Sequence, residues 1–495
     1  MSLKFNLLER LRSFPLFSGP GLKAKVFRGS MWLGTGLITE QVLRFCRNML
    51  LTRLLAPAAF GTMAIVSSAT LILHTIMDIG VKNAIIQNPR GHEEEYVNAA
   101  WYMAFVRALM FAAILCTLAP AIAVFYGNPE ISRLLRLCSI GIIADGAMST
   151  KVYVAIKEMR FKKFAIVNHV GGICGVLFTI VLSFFIRNVL ALVIGAAVES
   201  IARTTLSFVL CPFLPRLKIT RDAMVDLWKF SRGMMGLSFL NLIFSQTDIF
   251  VLGKMKSPAD LGLYTMAVYL IKTPTSFVMN LLGQTVLPAF ARVQDDKARI
   301  SRILFKTTRA IVLVGMPALV FAFFCGRALL TLAYGVRYSA AAGPFMVASA
   351  VALLNLLNGQ LTSIFFATGR PNLHRYSIIV MAAVMTVLIY PLVHLFGLIG
   401  GQFSCLAAVS VGFVLQAVRV HELIGFQVLP YARMILTGAA VSLSVVAVCL
   451  GARALALATR PLPNLLIGAV GCLIACGISA TITWRSEKLG NTALD

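Results

Sequence analysis

RGSMWLGTGLITEQVLRFCRNMLLTRLLAPAAFG, residues 28–61, is apolar enough and long enough to cross a bilayer, yet it carries Glu40, Arg44 and Arg47 in its middle. A spanning helix needs about 20 residues. Spacings of four and three place the three ionisable side chains on one helical face. Such groups cost roughly 2.5–3.5 kcal/mol each at the centre of a membrane helix and therefore face a protein interior or a wet cavity. Two readings follow: a structural clamp in which Glu40 neutralises Arg44, or a polar cavity wall. The second arginine favours the wall, because one glutamate cannot neutralise two cations.

The stretch recurs. Leu51-Thr52-Arg53, Ala56-Pro57-Ala58 and Phe60-Gly61 match Leu252-Gly253-Lys254, Ser257-Pro258-Ala259 and Leu261-Gly262 at a constant offset of 201 residues (258 − 57 and 262 − 61). Proline stops one helix and starts the next, and glycine permits a tight entry. A shared offset across a basic residue, a proline and a glycine, flanked by matching hydropathy, indicates duplication, a recurring property of transporter folds.

Composition agrees. Of 495 residues, 59% are hydrophobic and only 13% charged, with a mean hydropathy of +0.85. A soluble domain carries about 25% charged residues, so the chain reads as an all-α polytopic membrane protein. Its formal charge is +26, from 45 basic and 19 acidic residues. Basic residues beside spans report orientation, and no nucleic-acid partner is inferred. The ten cysteines are scattered and form no C-x-x-C; they read as small buried hydrophobes.

Fourteen spans are predicted, near 28–53, 59–80, 98–125, 131–153, 164–186, 189–211, 230–253, 261–287, 303–325, 341–366, 376–396, 398–418, 432–452 and 463–484. The fourth, with Arg133 and Arg136 at its start, and the eighth, with Lys272 and Pro274 inside, are the least regular. Basic residues crowd the N-terminus and every second loop, which predicts both termini on the cytoplasmic side. The repeat begins at spans one and seven. Each unit then holds six spans in the same orientation, giving two six-helix lobes related by an axis along the membrane normal. The expected organisation is a cytoplasmic N-terminal segment (1–27), an N-lobe (28–211), a linker (212–229), a C-lobe (230–418) and two additional spans with a tail (419–495). Residues 3–14 have the spacing of an interfacial lead-in helix or form an unstructured basic tail.

Further polar groups complete the inventory. Arg107, Lys272 and Arg309 either snorkel to headgroups or join Arg44 and Arg47 in lining a substrate cavity. Asp248, with Gln246, is a candidate coupling-ion or proton site, and Glu40 is a second. Glu199–Arg203 reads as a self-neutralising pair, and Asp78–Lys82 as an interfacial one. No Walker-A cradle, H-E-x-x-H or G-x-S-x-G occurs, so no ATPase or hydrolase site is predicted. The acidic run at 92–95 reads as a solvated loop. No cofactor and no catalytic or metal-binding residue is expected. Many spans, duplication and buried charge without a catalytic motif point to a secondary transporter.

The run L-T-R-L-L-A-P-A-A-F-G at 51–61 resembles the polysaccharide transporter family of the multidrug/oligosaccharidyl-lipid/polysaccharide exporter superfamily. So do Asp78-Ile79-Gly80, Ala84-Ile85-Ile86-Gln87, Arg160-Phe161-Lys162-Lys163, Leu287-Pro288-Ala289-Phe290-Ala291-Arg292 and Ala367-Thr368-Gly369-Arg370-Pro371. The resemblance spans nearly the whole chain. It implies two six-helix lobes around a central cavity and alternating access. It also implies movement of an undecaprenyl-diphosphate-linked repeat unit across the bacterial inner membrane, for exopolysaccharide or lipopolysaccharide synthesis. Implied partners are that glycan lipid, the membrane lipids, a proton or sodium ion, and polysaccharide polymerase or export machinery. The resemblance carries no shared catalytic residue, so the site residues above rest on charge alone. The alternatives are a multidrug or organic-cation antiporter of the same superfamily, whose cavity should be net acidic, and a flippase for the peptidoglycan precursor. A membrane glycan polymerase would need a large external loop.

Overall fold

The computed structural model describes residues 22–77, 80–216, 220–454, 463, 465–475 and 477–478. The lead-in helix expected over 3–14, Asp78 and most of the C-terminal tail lie outside the described residues. Among the described residues the chain is helical, with no strand.

In chain order the helices are α1 (Leu22–Leu54), α2 (Pro57–Met77), α3 (Val81–Gln87), α4 (Glu94–Tyr126), α5 (Glu130–Gly146), α6 (Lys151–Lys157), α7 (Phe161–Phe185) and α8 (Leu190–Leu210). They continue with α9 (Arg221–Met255), α10 (Pro258–Ala291), α11 (Lys297–Tyr334), a 3₁₀ turn (Val336–Ala341), α12 (Ala342–Ala367), α13 (Pro371–Phe396), α14 (Leu398–Ile424) and α15 (Val428–Ala454). A shorter apolar helix covers Leu465–Ala475. Among the described residues nine helices are long and apolar enough to cross a membrane: those built on α2, α4, α7, α8 and α11 to α15. The other expected spans fall on α1, α5, α9, α10 and Leu465–Ala475, which are shorter or less uniformly apolar. Fully outward-facing Val124, Phe185 and Leu395 fit a chain solvated by hydrocarbon.

Several boundaries differ from expectation. The first helix already includes Leu22, six residues ahead of the expected start at 28. Residues 221–229, expected in the linker, already form α9. The helix at 131–153 breaks after Gly146 because hydroxyl side chains capture backbone groups there. Ser149 N–H donates to Ser207 Oγ (2.9 Å), Ser149 Oγ donates to the Cys211 carbonyl (2.9 Å), and Thr150 Oγ1 donates to the Val97 carbonyl (3.1 Å). Pro274 does not interrupt α10, which runs through it. The acidic run at 92–95 is the start of α4 rather than a loop: Glu94 and Glu95 occupy its first turn, where they complement the helix dipole, and Glu93 pairs with Arg90. Cys46 and Cys174 are exposed rather than buried.

Two compact units are present. The first comprises residues 1–56 and 65–239, the second residues 57–64 and 240–495. In the first, α4 packs on α5, α5 on α8, α8 on α7, and α7 on α1. In the second, α12 is central, packed by α10, α11 and α14, with α13 against α14 and α15 against α11. The repeated motif produces a reciprocal contact inside the second unit. A Cβ on Gly61 would lie 1.9 Å from the Pro258 carbonyl oxygen, and a Cβ on Gly262 1.9 Å from the Pro57 carbonyl oxygen. Each glycine thus lets the other copy's backbone into contact. Pro258 opens α10 behind Ser257, whose Oγ accepts from Asp260 N–H at 3.1 Å.

Candidate functional site

In the first unit, three helices bring five ionisable side chains together. Arg44 on α1 donates to Glu40 one turn earlier (Nη2–Oε1 2.8 Å) and to Glu199 on α8 (Nη2–Oε1 2.5 Å). Arg203, one turn along α8, donates to Glu199 and lies 3.7 Å from Glu40. His169 on α7 meets the other Glu40 oxygen through Nδ1 at 2.9 Å. The five side chains keep only 11–26% of their surface exposed.

Glycines make room for this cluster. On α7, a Cβ at Gly171 would strike Arg203 Cγ at 2.4 Å, one at Gly175 would strike Glu199 Cβ at 2.4 Å, and one at Gly172 would crowd Glu40 Oε1 at 2.9 Å. On α1, Gly36 leaves the space that the His169 ring fills. The floor is therefore polypeptide without side chains, and the charges sit directly on it. Small residues allow such close approach between membrane helices.

The charges balance, two carboxylates against two guanidiniums. Glu40 does meet two cations, but it does not neutralise them alone, and they are not Arg44 and Arg47. The second carboxylate is Glu199, 155 residues from Arg44, and the second arginine is Arg203 rather than Arg47. Nor is Glu199–Arg203 a closed pair, since Glu199 also holds Arg44. Arg47 turns to Asn48, donating from Nε and Nη2 to Oδ1 at 3.3 and 3.2 Å. One polar atom of the cluster stays open among the described residues: Arg203 Nε is buried with no hydrogen-bond partner. Arg107 sits half-buried on α4 of the same unit. His169, Glu199 and Arg203 lie outside the expected site set. The signal for His169 lies in H-V-G-G-I-C-G at 169–175, which puts three glycines next to a lone histidine.

In the second unit, Asp248 on α9 is 6% exposed. Its Oδ1 accepts from the Ile249 N–H at 2.9 Å, and its Oδ2 accepts from Tyr264 Oη at 2.8 Å. Gln402 Nε2 on α14 donates to the same tyrosine oxygen at 2.6 Å. This relay borders a cavity of about 400 Å³ that Lys272 and Asn355 also line. Asp248 and Lys272 thus share one cavity, whereas Gln246 is not among its lining residues. Arg309 lies half-buried on α11.

A second cavity of about 440 Å³ adjoins the first through Phe244, Met279 and Asn355. No charged residue lines it apart from His374, a group neutral in its unprotonated form. Its polar lining is amide and hydroxyl: Asn241, Asn358, Gln360, Thr362 and Gln416. Chemically the molecule therefore offers a balanced ionic cluster in one unit, and in the other a cavity lined by one acid and one base beside an uncharged cavity.

A family model described as a polysaccharide biosynthesis protein matches residues 50–343. The succinoglycan biosynthesis transport protein ExoT of Rhizobium meliloti (strain 1021) is 25% identical over 56% of this chain and 56% of its own length. The lipopolysaccharide biosynthesis protein WzxC of Escherichia coli (strain K12) is 20% identical over 80% of this chain and 79% of its own. Among solved structures, the lipid II flippase MurJ superposes with a TM-score of 0.76 over 92% of this chain and 99% of MurJ, at 11% identity. A multidrug transporter of the MATE family does so with a TM-score of 0.57, over 78% of this chain and 95% of its own, at 12% identity. The fold is that of MurJ and of the MATE transporter, and the chain belongs to the polysaccharide biosynthesis protein family.

Proposed function

We propose that this chain is a flippase that moves undecaprenyl-diphosphate-linked oligosaccharide repeat units across the bacterial inner membrane, for exopolysaccharide or lipopolysaccharide synthesis. It does so by alternating access through fourteen spans, two six-span repeats (28–211 and 230–418) with two C-terminal spans, and both termini cytoplasmic. It acts as a transporter and catalyses no covalent step. The observation that carries this reading is the four-charge cluster of the first unit. It holds two arginines on an apolar helical scaffold, and Arg203 keeps a buried, unpartnered Nε.

Guanidinium groups recognise phosphate oxygens in bidentate fashion. In the resting cluster both arginines are occupied by Glu40 and Glu199. A proton taken up by Glu40 leaves two guanidiniums against one carboxylate. The net positive charge that results attracts a diphosphate, which takes the place of the lost carboxylate on Arg44 and Arg203. Release reverses the exchange. Glu40 is thus the coupling group of the first unit, and Asp248, held by Tyr264 and beside Lys272, is the corresponding group of the second. Arg47, Arg107 and Arg309 serve as cationic contacts along the path. The undecaprenyl tail stays in the lipid while its headgroup passes. One charge moved across 100 mV is worth about 2.3 kcal/mol, enough for the membrane potential to bias the cycle.

A cation antiporter is the competing reading, and its cavity should be net acidic. Here the cluster is balanced, and Lys272 accompanies Asp248. Lipids extracted from a strain lacking this gene decide between the two. Accumulated undecaprenyl-diphosphate-linked oligosaccharide with unchanged sensitivity to cationic drugs supports the flippase. Drug hypersensitivity with a normal lipid pool overturns it.

A further inference from the structure

The uncharged cavity of the second unit carries two buried atoms whose hydrogen-bonding capacity is unused. Asn358 is 6% exposed and Gln360 is 2% exposed. The Asn358 amide nitrogen donates to the Val409 carbonyl on α14 at 3.3 Å, and its Oδ1 has no partner among the described residues. Gln360 is the reverse. Its Oε1 accepts from Thr307 Oγ1 on α11 at 2.5 Å, and its Nε2 has no partner. Both residues line the cavity. Two positions apart on α12, they fall at opposite margins of a face centred on Gly359. The α12 wall of the cavity therefore holds one amide with an unpartnered acceptor and one with an unpartnered donor, both atoms buried.

A third group lies beside them. Thr362 has one hydroxyl proton, which goes to Gln416 Oε1 at 3.1 Å. His374 Nδ1, 3.2 Å from the same hydroxyl, must then carry the hydrogen of that contact. In the neutral ring Nε2 is left as an acceptor. Phe244, Met279 and Phe366 add apolar surface to the same lining.

The lining selects a class of ligand. A diphosphate finds no lysine or arginine here. A hydrocarbon chain would leave both amides unpaired, which costs about 1–3 kcal/mol for each buried group. A sugar ring matches both parts, because its hydroxyls donate and accept at the edge while its C–H face is apolar. Few polar groups on an apolar lining is the usual make-up of a specific small-molecule site. The volume of about 440 Å³ lies within the range of such sites, about 300–1,000 Å³.

We propose that this cavity is a glycan-reading subsite that takes the uncharged, hydroxylated sugar portion of the transported lipid, with the Asn358 acceptor and the Gln360 donor setting which sugar fits. The proposal rests on the flippase reading above and assigns to it a residue set separate from the charged groups. Because the cavity adjoins the one bearing Lys272, an extended oligosaccharide can occupy both.

The test uses full-length protein in nanodiscs, titrated with two probes: undecaprenyl diphosphate, and the undecaprenyl-diphosphate-linked oligosaccharide extracted from a strain lacking this gene. The wild type is expected to bind the glycosylated probe about tenfold more tightly, as two or so net hydrogen bonds would give. Gly283 lines the cavity, and a Cβ there meets open space. Gly283→Leu therefore fills the cavity while leaving every hydrogen bond intact, and it should bring the ratio to about one with undecaprenyl diphosphate binding unchanged. Gln360→Met should lower the ratio several-fold; if it misfolds, Gly283→Leu alone decides. A preserved preference in Gly283→Leu, or no preference in the wild type, overturns the subsite and leaves the flippase reading standing. Unchanged lipid-linked oligosaccharide and unchanged export in the deletion strain overturn the flippase reading, and the subsite with it.

Discussion

The two units handle polarity in opposite ways. The first concentrates charge: Glu40, Arg44, Glu199 and Arg203 pair with one another over a floor of glycines. The second disperses it, with Asp248 tied into a neutral tyrosine–glutamine relay and a neighbouring cavity lined by uncharged amides. Charges in hydrocarbon must be matched in number, so the first arrangement is stable only when complete. A buried neutral amide left unpaired costs about 1–3 kcal/mol, less than an unmatched buried charge, so it can stay open for a ligand at a smaller penalty. A single loss should therefore hurt the first unit more than the second.

The largest effect is expected for Arg44→Ala, which leaves Glu40 and Glu199 sharing Arg203. Breaking a buried pair this way costs about 3–5 kcal/mol, read as a lowered Tm of the purified protein and lost export. The balanced Glu40→Gln, Arg44→Gln double variant should recover much of that stability while export stays lost. Recovery of export along with stability would mean that the cluster only holds helices together. In the second unit, Asp248→Ala deprives Tyr264 of its acceptor and should cost about 1–3 kcal/mol. Asp248→Asn keeps an acceptor, so it should melt near the wild type yet lose ion-driven transport in vesicles. Gly262→Ala drives a methyl group into the Pro57 carbonyl and should lower stability by about 1–3 kcal/mol. At the bottom of the scale, Arg90→Ala removes an exposed ion pair with Glu93 and should leave both Tm and export unchanged.

Local features were legible in the sequence, and contacts across it were not. The i, i+4 pair Glu40–Arg44 follows from spacing and forms as expected. Its completion by Glu199 joins residues 155 apart, and no periodicity encodes that. His169 escaped notice because a lone histidine in an apolar run carries no local sign of its partner. Helix α5 ended early because Ser149 and Thr150 found acceptors on distant helices. Asn358 and Gln360 were passed over for a different reason. Neutral amides in a predicted span carry no charge to mark them, and only their unmatched hydrogen-bonding atoms single them out. Of the expected cationic set, Arg44 enters the cluster and Lys272 a cavity, while Arg47 turns to its neighbour Asn48.

The meeting of Gly61 with Pro258 and of Gly262 with Pro57 bears on how such a chain can evolve. After most duplications, the two copies acquire different neighbours and drift apart. Here each copy of the turn is the other's neighbour, backbone against backbone. A side chain gained at either glycine would have to be accommodated by a shift in the opposite copy. The two turns are therefore expected to change together or not at all, and their likeness persists across 201 residues while the flanking helices have diverged.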